Sequence, residues 1–467
     1  MVQLSTIQRS SSKSLSATFT PLRLFVLVNV GILVIFYGVM SAFHLRISQM
    51  EDTKSSGRPS GELRLGMPRS LVATDDTGCT KPPVPAAAAP VSYATKWDGP
   101  LDLDEQTYRL AAQINQTYWD APGEKTWWNK PGFHLSYMEP DPPYPFQRIK
   151  SEDGKDTGIV ALIAPFYDTN YYKAESARAL FWRLKKAGHI MIGISSYQEF
   201  PGPIMNPFDD RHTTPADDEV WAAMDGWLHC FREEDKVRWM PPNVPRINLS
   251  ESDFHNPERR DDGGSLIPWG VPKEVDIVYS NQGGEWNDFA RNWTLAKEVM
   301  HALVNELDLK IMIMGREIDP VKDADIQALI DRGSVIRQPK MPWNQFLKTI
   351  EKARTLMTPN VHDASPRVLV EALSLNMTVL INKHIVGGWK YATEATGEEF
   401  GTAAEAVEAM RRLRAPERQA KLRPREWYRE TWGYYRSSVY LQAFMEIVVG
   451  KERLAKAKQL ILSHNVN

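Results

Sequence analysis

The sequence has little cysteine, the residue that cross-links small folds. Only 2 of its 467 residues are cysteines, Cys79 and Cys230, so one disulfide is the most that can form within the chain, and no zinc or redox motif is present. The net charge is −2, which gives no electrostatic reason to expect nucleic-acid binding. No internal repeat is evident. The length instead allows about two globular domains with appendages.

One long apolar run lies near the N-terminus. Leu24–Phe43 carries no charged residue and is long enough to cross a bilayer. Arg9, Lys13 and Arg23 precede it with no acidic residue among them, so the N-terminus is expected to stay in the cytosol. We therefore predict a single-pass type II protein of the Golgi or ER membrane, with the C-terminal bulk of the chain in the lumen. A signal peptide cleaved near Ser41 stays open as an alternative.

The region after the apolar run resembles a stem before it becomes globular. Ser, Gly, Pro and charged residues dominate to about residue 98, and KPPVPAAAAP at 81–90 predicts an extended spacer. Asp102 and Asp104 mimic the metal-binding Asp-X-Asp of GT-A enzymes, but they precede a predicted helix, so a cluster at a helix start is favoured. Asn-X-Ser/Thr sequons support a lumenal location: Asn115, Asn248, Asn292 and Asn376.

The first globular half is predicted from a strand–helix–strand pattern. GIVALIAPF at 158–166 and HIMIGISSY at 189–197 are apolar strand patterns, and the residues at 171–188 between them are amphipathic and end in glycine. This pattern favours a Rossmann-like domain. The loop Asp168–Tyr172 and His255 are candidates for contacts with an acceptor.

The residues at 355–382, TLMTPNVHDASPRVLVEALSLNMTVLIN, predict a strand, a loop, a helix and a second strand. Ser365 and Pro366 are the expected N-cap and first helical residue. The unpaired amides of Arg367 and Val368, the helix dipole and the Arg367 guanidinium would then form an anion site. Glu371 shares a helix face with Arg367 and can accept hydrogen bonds from paired hydroxyls such as those of ribose.

The same stretch resembles the retaining GT-B glycosyltransferases of the GT4 group. Their signature is an acidic residue, seven residues and a glutamate, positions that Asp363 and Glu371 occupy here. The family usually has Glu where this chain has Asp363. The resemblance covers about 275–400 and implies an α/β, GT-B fold with two Rossmann-like domains facing a cleft. It also implies a nucleotide-diphosphate sugar as donor substrate, with no cofactor and no metal.

The remaining donor-site positions follow the family less closely. The family's first nucleotide-domain strand ends in Gly-Arg, but here Ser280 and Asn281 stand at that end, so one expected cation is missing. Arg291 falls near a family lysine and is assigned to the departing diphosphate. Gly315 and Arg316 end the next strand and are assigned to the donor. Gly387 and Gly388 are also assigned to the donor site, because glycine permits close backbone approach or positive φ. Lys297 and Lys383 are considered as substitutes for the missing cation.

Together these features predict an EC 2.4 hexosyltransferase that moves a sugar to a hydroxyl of a glycan, lipid or protein. Asp363 would orient the donor sugar. Two alternatives stay open: an inactive, membrane-tethered carbohydrate-binding or scaffolding protein, and a metal-dependent GT-A enzyme whose activity EDTA would abolish. The predicted segments are a cytosolic tail (1–23), a transmembrane helix (24–45), a stem and lumenal extension (46–157), an acceptor domain (158–270), a nucleotide-sugar domain (271–423) and C-terminal helices (424–467).

Overall fold

The computed structural model describes residues 97–122, 132–135, 142–166, 174–202, 218–233, 237, 239–257 and 272–464. The predicted transmembrane helix, Cys79 and the loop Asp168–Tyr172 lie outside these residues. Among the helices within the described ranges, none combines the length and apolar character needed to cross a bilayer. The described residues all belong to one compact unit, Ala88–Asn467.

The first sheet has six strands, which lie side by side in the order in which they follow along the chain. They are β1 (Phe133–Leu135), β2 (Phe146–Ser151), β3 (Asp156–Leu162), β4 (Ile190–Ile194), β5 (Gly226–His229) and β6 (Arg246–Asn248). β1, β2 and β3 pair antiparallel, whereas β3 to β6 run parallel. The helices around this sheet are α1 (Asp104–Asp120), α2 (Ala174–Lys186) and α3 (Asp218–Ala222), and a 3-10 turn at Glu251–Phe254 follows β6.

The second sheet also has six strands, and all of its neighbours run parallel. They are β7 (Val275–Ser280), β8 (Ile311–Met314), β9 (Val335–Gln338), β10 (Ala353–Thr358), β11 (Thr378–Asn382) and β12 (Gly397–Phe400). The helices that connect them are α4 (Glu285–Ala290), α5 (Trp293–Leu307), α6 (Ala324–Asp331), α7 (Trp343–Ile350), α8 (Arg367–Ser374), α9 (Ala403–Arg414) and α10 (Pro416–Gln419), with a 3-10 turn at Trp389–Tyr391. The chain ends with α11 (Pro424–Thr431), α12 (Tyr434–Val448) and α13 (Lys451–His464).

Burial on both faces explains why these strands are apolar throughout. All four residues of β8 are buried, because α5, α6 and α9 supply one apolar core and α7 and α8 supply the other. A parallel sheet needs helices on both faces, so its central strands are continuous apolar runs and do not alternate. The α/β class predicted from the sequence is therefore confirmed.

The order of the second sheet fixes where a ligand should bind. The strands lie in the order β12-β11-β10-β7-β8-β9, so the chain reverses direction across the sheet between β9 and β10. In such sheets ligands bind outside the carboxyl ends of the two strands at the reversal, which here are β7 and β10. In the first sheet β3 to β6 follow one another without a reversal. The second sheet is therefore the expected nucleotide-binding sheet.

The carboxyl edges of the two sheets face each other. Residues that follow β4, β5 and β6 contact residues that follow β10 and β11. The hydrogen bonds that join the edges include Glu199 with His362 (2.8 Å), the Trp389 indole with the Cys230 carbonyl (2.7 Å), and the Ser252 amide with Ser365 Oγ (2.6 Å). The loops at these two edges are thus in direct contact.

The two ends of the described chain both pack on the first sheet. α12 packs against α1 and β1, and α13 packs against β3, with Arg453 paired to Asp225 at 2.8 Å. The C-terminal helices therefore cross back onto the first half. α1, β1 and β2 come from the segment 46–157 that the sequence assigns to a stem. Because β1 and β2 extend the first sheet, this part of the predicted stem belongs to the folded body.

Candidate functional site

Asp363 and Arg291, which the sequence assigns to catalysis, are in contact at the reversal point of the second sheet. Asp363 lies in the loop after β10, and its Oδ2 accepts hydrogen bonds from Arg291 Nη1 (3.1 Å) and Asn360 Nδ2 (2.9 Å). Its side chain is 19% exposed and that of Arg291 is 31% exposed. The pair is thus held firmly but is open to a ligand.

The loop after β7 leads to Arg291 through α4, and no role was predicted for its two glycines. Gly283 and Gly284 have φ of 73° and 86°, a conformation that favours glycine. Buried Asn281 fixes the loop, since its Oδ1 accepts the Gly283 amide at 2.8 Å. Helix α4 follows the loop and ends at Arg291. The signal for this loop was available, because two glycines directly follow an apolar strand.

Glu371 lies one turn into α8 and is almost fully buried. Its Oε1 accepts a hydrogen bond from Trp343 Nε1 (2.7 Å) and contacts His255 Nε2 (3.0 Å). His255 belongs to the first half, and its ring packs on Trp343, with centroids 5.6 Å apart. The Trp343 side chain is unusually open, at 39% exposed. The sequence-predicted acceptor candidate His255 and donor candidate Glu371 therefore meet across the cleft.

The predicted cap of α8 is wrong. The helix begins at Arg367, and Pro366, which precedes it, makes no side-chain cap. Ser365 does not cap the helix, because its Oγ accepts the Ser252 amide of the first half at 2.6 Å. Val368 is half-buried and packs against the apolar core to which α7 and α8 contribute. Ser365 therefore joins the two halves.

Arg367 and Arg316 both pair with carboxylates. Arg367 pairs with Glu251 of the first half and is half-exposed. Arg316 pairs with Asp288 and Asp323, its side chain is 10% exposed, and its guanidinium carbon lies 4.2 Å from the centre of the Trp293 ring.

Asp323 is held ionised beside Arg316. Burial alone would raise the pKa of Asp323, but the Trp293 hydrogen bond and the Arg316 charge lower it overall. Arg316 thus pairs with two carboxylates, and its assignment to the donor stays a prediction.

The glycines of the predicted site behave as expected for close approach. A Cβ on Gly387 would lie 1.8 Å from the Ala364 carbonyl oxygen, and the Gly387 amide donates to the Asp363 carbonyl at 2.9 Å. Gly388 and Gly315 have φ of 84° and 81°. Gly387 therefore lets the loop after β11 support the loop that carries Asp363.

The basic side chains considered for the diphosphate share one property: each contacts a carboxylate. The pairs are Arg291 with Asp363, Arg316 with Asp288 and Asp323, Arg367 with Glu251, Lys297 with Asp323, and Lys383 with Glu405. Of the three arginines, Arg291 and Arg367 are the ones that remain partly exposed. A donor diphosphate would compete with these carboxylates for them.

The two carboxylates of the Asp-X-Asp match make contacts within the fold. Asp102 pairs with Arg246 at 2.7 Å, and Asp104 accepts the Asn248 amide at 2.7 Å. Burial is the main cause that raises the pKa of Asp104. Within the described ranges, no group of three or more His, Cys, Asp or Glu side chains is arranged to hold a metal ion. Asp102 and Asp104 thus tie α1 to β6.

A second pair of residues at the facing edges was not found from the sequence. Glu199 follows β4 and His362 follows β10, and His362 Nδ1 lies 2.8 Å from Glu199 Oε1. No local pattern indicates this contact, since 163 residues separate the two along the chain.

Comparison with known proteins gives matches among solved structures alone: no protein-family profile and no curated protein matches the chain. The lipopolysaccharide outer core galactosyltransferase WaaB, in its apo form, is 14% identical with a TM-score of 0.42, and the match covers 59% of this chain and 73% of WaaB. WaaG, a glycosyltransferase involved in lipopolysaccharide biosynthesis, is 15% identical with a TM-score of 0.39, and the match covers 62% of this chain and 86% of WaaG. TarM is 12% identical with a TM-score of 0.35; the match covers 58% of this chain, which spans about half, 50%, of TarM.

The resemblance to glycosyltransferases predicted from residues 363–382 thus recurs among the matched solved structures. Identities of 15% or less and TM-scores below 0.5 do not establish a function. The function has to be inferred from the side chains of the cleft.

Proposed function

We propose that the chain is a glycosyltransferase that moves a hexose-type sugar from a nucleotide-diphosphate sugar to a hydroxyl of a glycan, lipid or protein. The observation that carries this proposal is the contact between Asp363 and Arg291 at the reversal point of a sheet with Rossmann strand order. A cation and a partly exposed carboxylate lie there side by side, opposite the parallel strands of the first sheet. This arrangement suits a ligand that carries both phosphate and sugar hydroxyls.

Each residue then has a distinct role. The Arg291 guanidinium would turn from Asp363 to the diphosphate as the donor binds, so that its charge stays paired throughout. Asp363 would accept a hydroxyl of the donor sugar, and Glu371 would accept the ribose hydroxyls. Stabilising the departing diphosphate by fixed charge and amide groups needs no metal ion, and the resemblance to the GT4 group favours retention of the anomeric configuration.

The setting of this activity is proposed from the sequence. The apolar run Leu24–Phe43 would anchor the chain in the Golgi or ER membrane, with the cleft in the lumen. The cleft would then meet acceptors of the secretory pathway, whether glycan, lipid or protein.

Nucleotide binding and turnover test the proposal together. Purified full-length protein is titrated with UDP and GDP by differential scanning fluorimetry, and hydrolysis of UDP-glucose, UDP-N-acetylglucosamine and GDP-mannose is measured. We expect one nucleotide to raise the melting temperature and a sugar nucleotide with the same base to be hydrolysed. Arg291→Ala should lose both effects. Arg332→Ala, an exposed arginine bonded to Asn305, is the matched control and should keep both. Failure of every nucleotide to bind the wild-type chain would contradict the proposal.

The second candidate is a carbohydrate-binding or scaffolding protein that has lost activity. It is favoured by the ion pairs of the candidate cations, since Arg316 is held by Asp288 and Asp323. The same titration separates the two functions. Binding of a nucleotide or glycan without turnover of any sugar nucleotide supports the second candidate.

A further inference from the structure

The pair formed by Glu199 and His362 has the geometry of an oriented base. Glu199 comes from the first half, and its side chain is 3% exposed, whereas His362 comes from the second half and is 20% exposed. His362 directly precedes Asp363 in the loop after β10. The pair therefore joins the two walls of the cleft next to the residues proposed to hold the donor.

Two contacts fix the orientation of the imidazole. The His362 ring stacks on Phe289, with centroids 4.6 Å apart and an interplanar angle of 8°. Its Nδ1 lies 2.8 Å from Glu199 Oε1. Phe289 lies in α4, two residues before Arg291. Phe289 thus sets the plane of the ring, and Glu199 sets its rotation within that plane. The helix that carries Phe289 is directly followed by Arg291, the proposed diphosphate cation.

The remaining nitrogen of the ring is available to a ligand. A carboxylate next to Nδ1 holds the proton on that nitrogen, which leaves the Nε2 lone pair as an acceptor. Within the described part of the chain, Nε2 has no hydrogen-bond partner. The His362 side chain as a whole is 20% exposed.

Glu199 is a buried carboxylate beside the ring. Its second oxygen, Oε2, is buried and has no hydrogen-bond partner among the described residues. Arg291 and Asp363, the other charged groups of this loop region, pair with each other, so Glu199 is the carboxylate in contact with the imidazole.

We propose that His362 is the base that accepts the proton of the acceptor hydroxyl, with Glu199 as its positioning residue. This inference rests on the proposed glycosyltransferase function. The acceptor O–H proton passes to His362 Nε2, and the acceptor oxygen forms the new bond to the anomeric carbon on the face from which the diphosphate leaves, so that the proposed retention of configuration holds. The electron pair of the broken bond between the anomeric carbon and the phosphate oxygen leaves with the diphosphate. When water is the acceptor, the same transfer gives hydrolysis of the donor.

Two variants of His362 test the base. Asparagine can still donate to Glu199 from its amide nitrogen but has no group at the position of Nε2. We therefore expect His362→Asn to lower kcat for hydrolysis of the sugar nucleotide that the wild type uses by at least about 100-fold. The Kd for UDP or GDP should stay within about threefold, since the proposal places the acceptor, and not the nucleotide, at His362. His362→Gly removes the ring, and added imidazole should restore part of its kcat.

The control is His384→Asn, which changes an exposed histidine in the loop after β11 and should leave kcat unchanged. Glu199→Gln keeps an acceptor for Nδ1 but removes the charge, and should lower kcat by about tenfold with the same Kd. Wild-type kcat in His362→Asn, or failure of imidazole to restore any activity to a His362→Gly variant that still binds nucleotide, would overturn the assignment of the base. If the wild type itself neither binds nucleotide nor hydrolyses any donor, the proposed function fails, and this inference fails with it.

Discussion

Asp363 combines two tasks that are separable by substitution. Its carboxylate accepts hydrogen bonds from Arg291 and Asn360, and in the proposed complex it holds the donor sugar. Asp363→Asn keeps the volume of the side chain and loses its charge. We expect kcat to fall at least about tenfold, which corresponds to about 1.4 kcal/mol of transition-state stabilisation. The Kd for nucleotide should change little or become tighter, because Arg291 loses a competing partner.

The matched control for this substitution is Asp308→Asn. Asp308 is exposed at the end of α5 with a left-handed backbone, which asparagine also tolerates. It should leave kcat, Kd and melting temperature unchanged. A fully active Asp363→Asn variant would show that the carboxylate only positions Arg291 within the fold.

Glu371 is engaged by protein groups, although the sequence assigns it to ribose. Trp343 and His255 both contact its Oε1, and both side chains are partly exposed. In Glu371→Ala, water can still reach the ring nitrogens of Trp343 and His255 that lose their partner, so the melting temperature should stay close to that of the wild type. Turnover should fall at least about tenfold, or about 1.4 kcal/mol. Wild-type turnover in this variant, measured at saturating donor, would remove Glu371 from the site.

Helix α8 and the loop before it depend on the first half of the molecule. Ser365 accepts the buried Ser252 amide, so both Ser365→Ala and Ser365→Gly strand that donor. We expect each to lower the free energy of unfolding by about 1–3 kcal/mol, measured by urea denaturation. A helix N-cap behaves differently, since glycine replaces serine there at a cost of only a few tenths of a kcal/mol. If Ser365→Gly left the free energy of unfolding nearly unchanged while Ser365→Ala lowered it, Ser365 would be a helix N-cap after all.

The 3-10 turns at Glu251–Phe254 and Trp389–Tyr391 are joined by a buried ion pair. Lys390 Nζ lies 2.6 Å from Asp253 Oδ2, and the Tyr391 hydroxyl lies 2.5 Å from Asp253 Oδ1. Burial raises the pKa of Tyr391 well above its usual range, so the hydroxyl stays protonated and donates. Lys390→Met leaves a buried carboxylate without its cation and should lower the free energy of unfolding by about 3–5 kcal/mol.

The control for the ion pair is Lys421→Met. Lys421 pairs with Glu394 on the surface, where solvent screens the charges, so its loss should leave the unfolding midpoint nearly unchanged. Equal midpoints for the Lys390 and Lys421 variants in urea would show that the buried pair does not hold the two turns together.

The sequence predicted the parts of the molecule that follow from local pattern. Strand β11, Thr378–Asn382, is the second strand predicted at the end of residues 355–382, because a short apolar run between turn residues is typical of a buried strand. Asp363 and Arg291 were assigned separately and do meet, since the carboxyl ends of adjacent parallel strands share one edge.

The parts that were missed depend on contacts between distant segments. Arg367 pairs with Glu251, which is 116 residues away, and Glu199 pairs with His362 across the cleft. Helix propensity and motif spacing carry no information on such partners. The same limit explains Ser365, whose sequence context fits an N-cap while its actual partner belongs to the other half.

A structure of the full chain with UDP tests the proposed nucleotide site most directly. The diphosphate should lie outside the carboxyl ends of β7 and β10 and contact the Arg291 guanidinium, with the ribose hydroxyls at Glu371. A nucleotide bound elsewhere, with Arg291 still paired to Asp363 and Glu371 still held by Trp343 and His255, would contradict it.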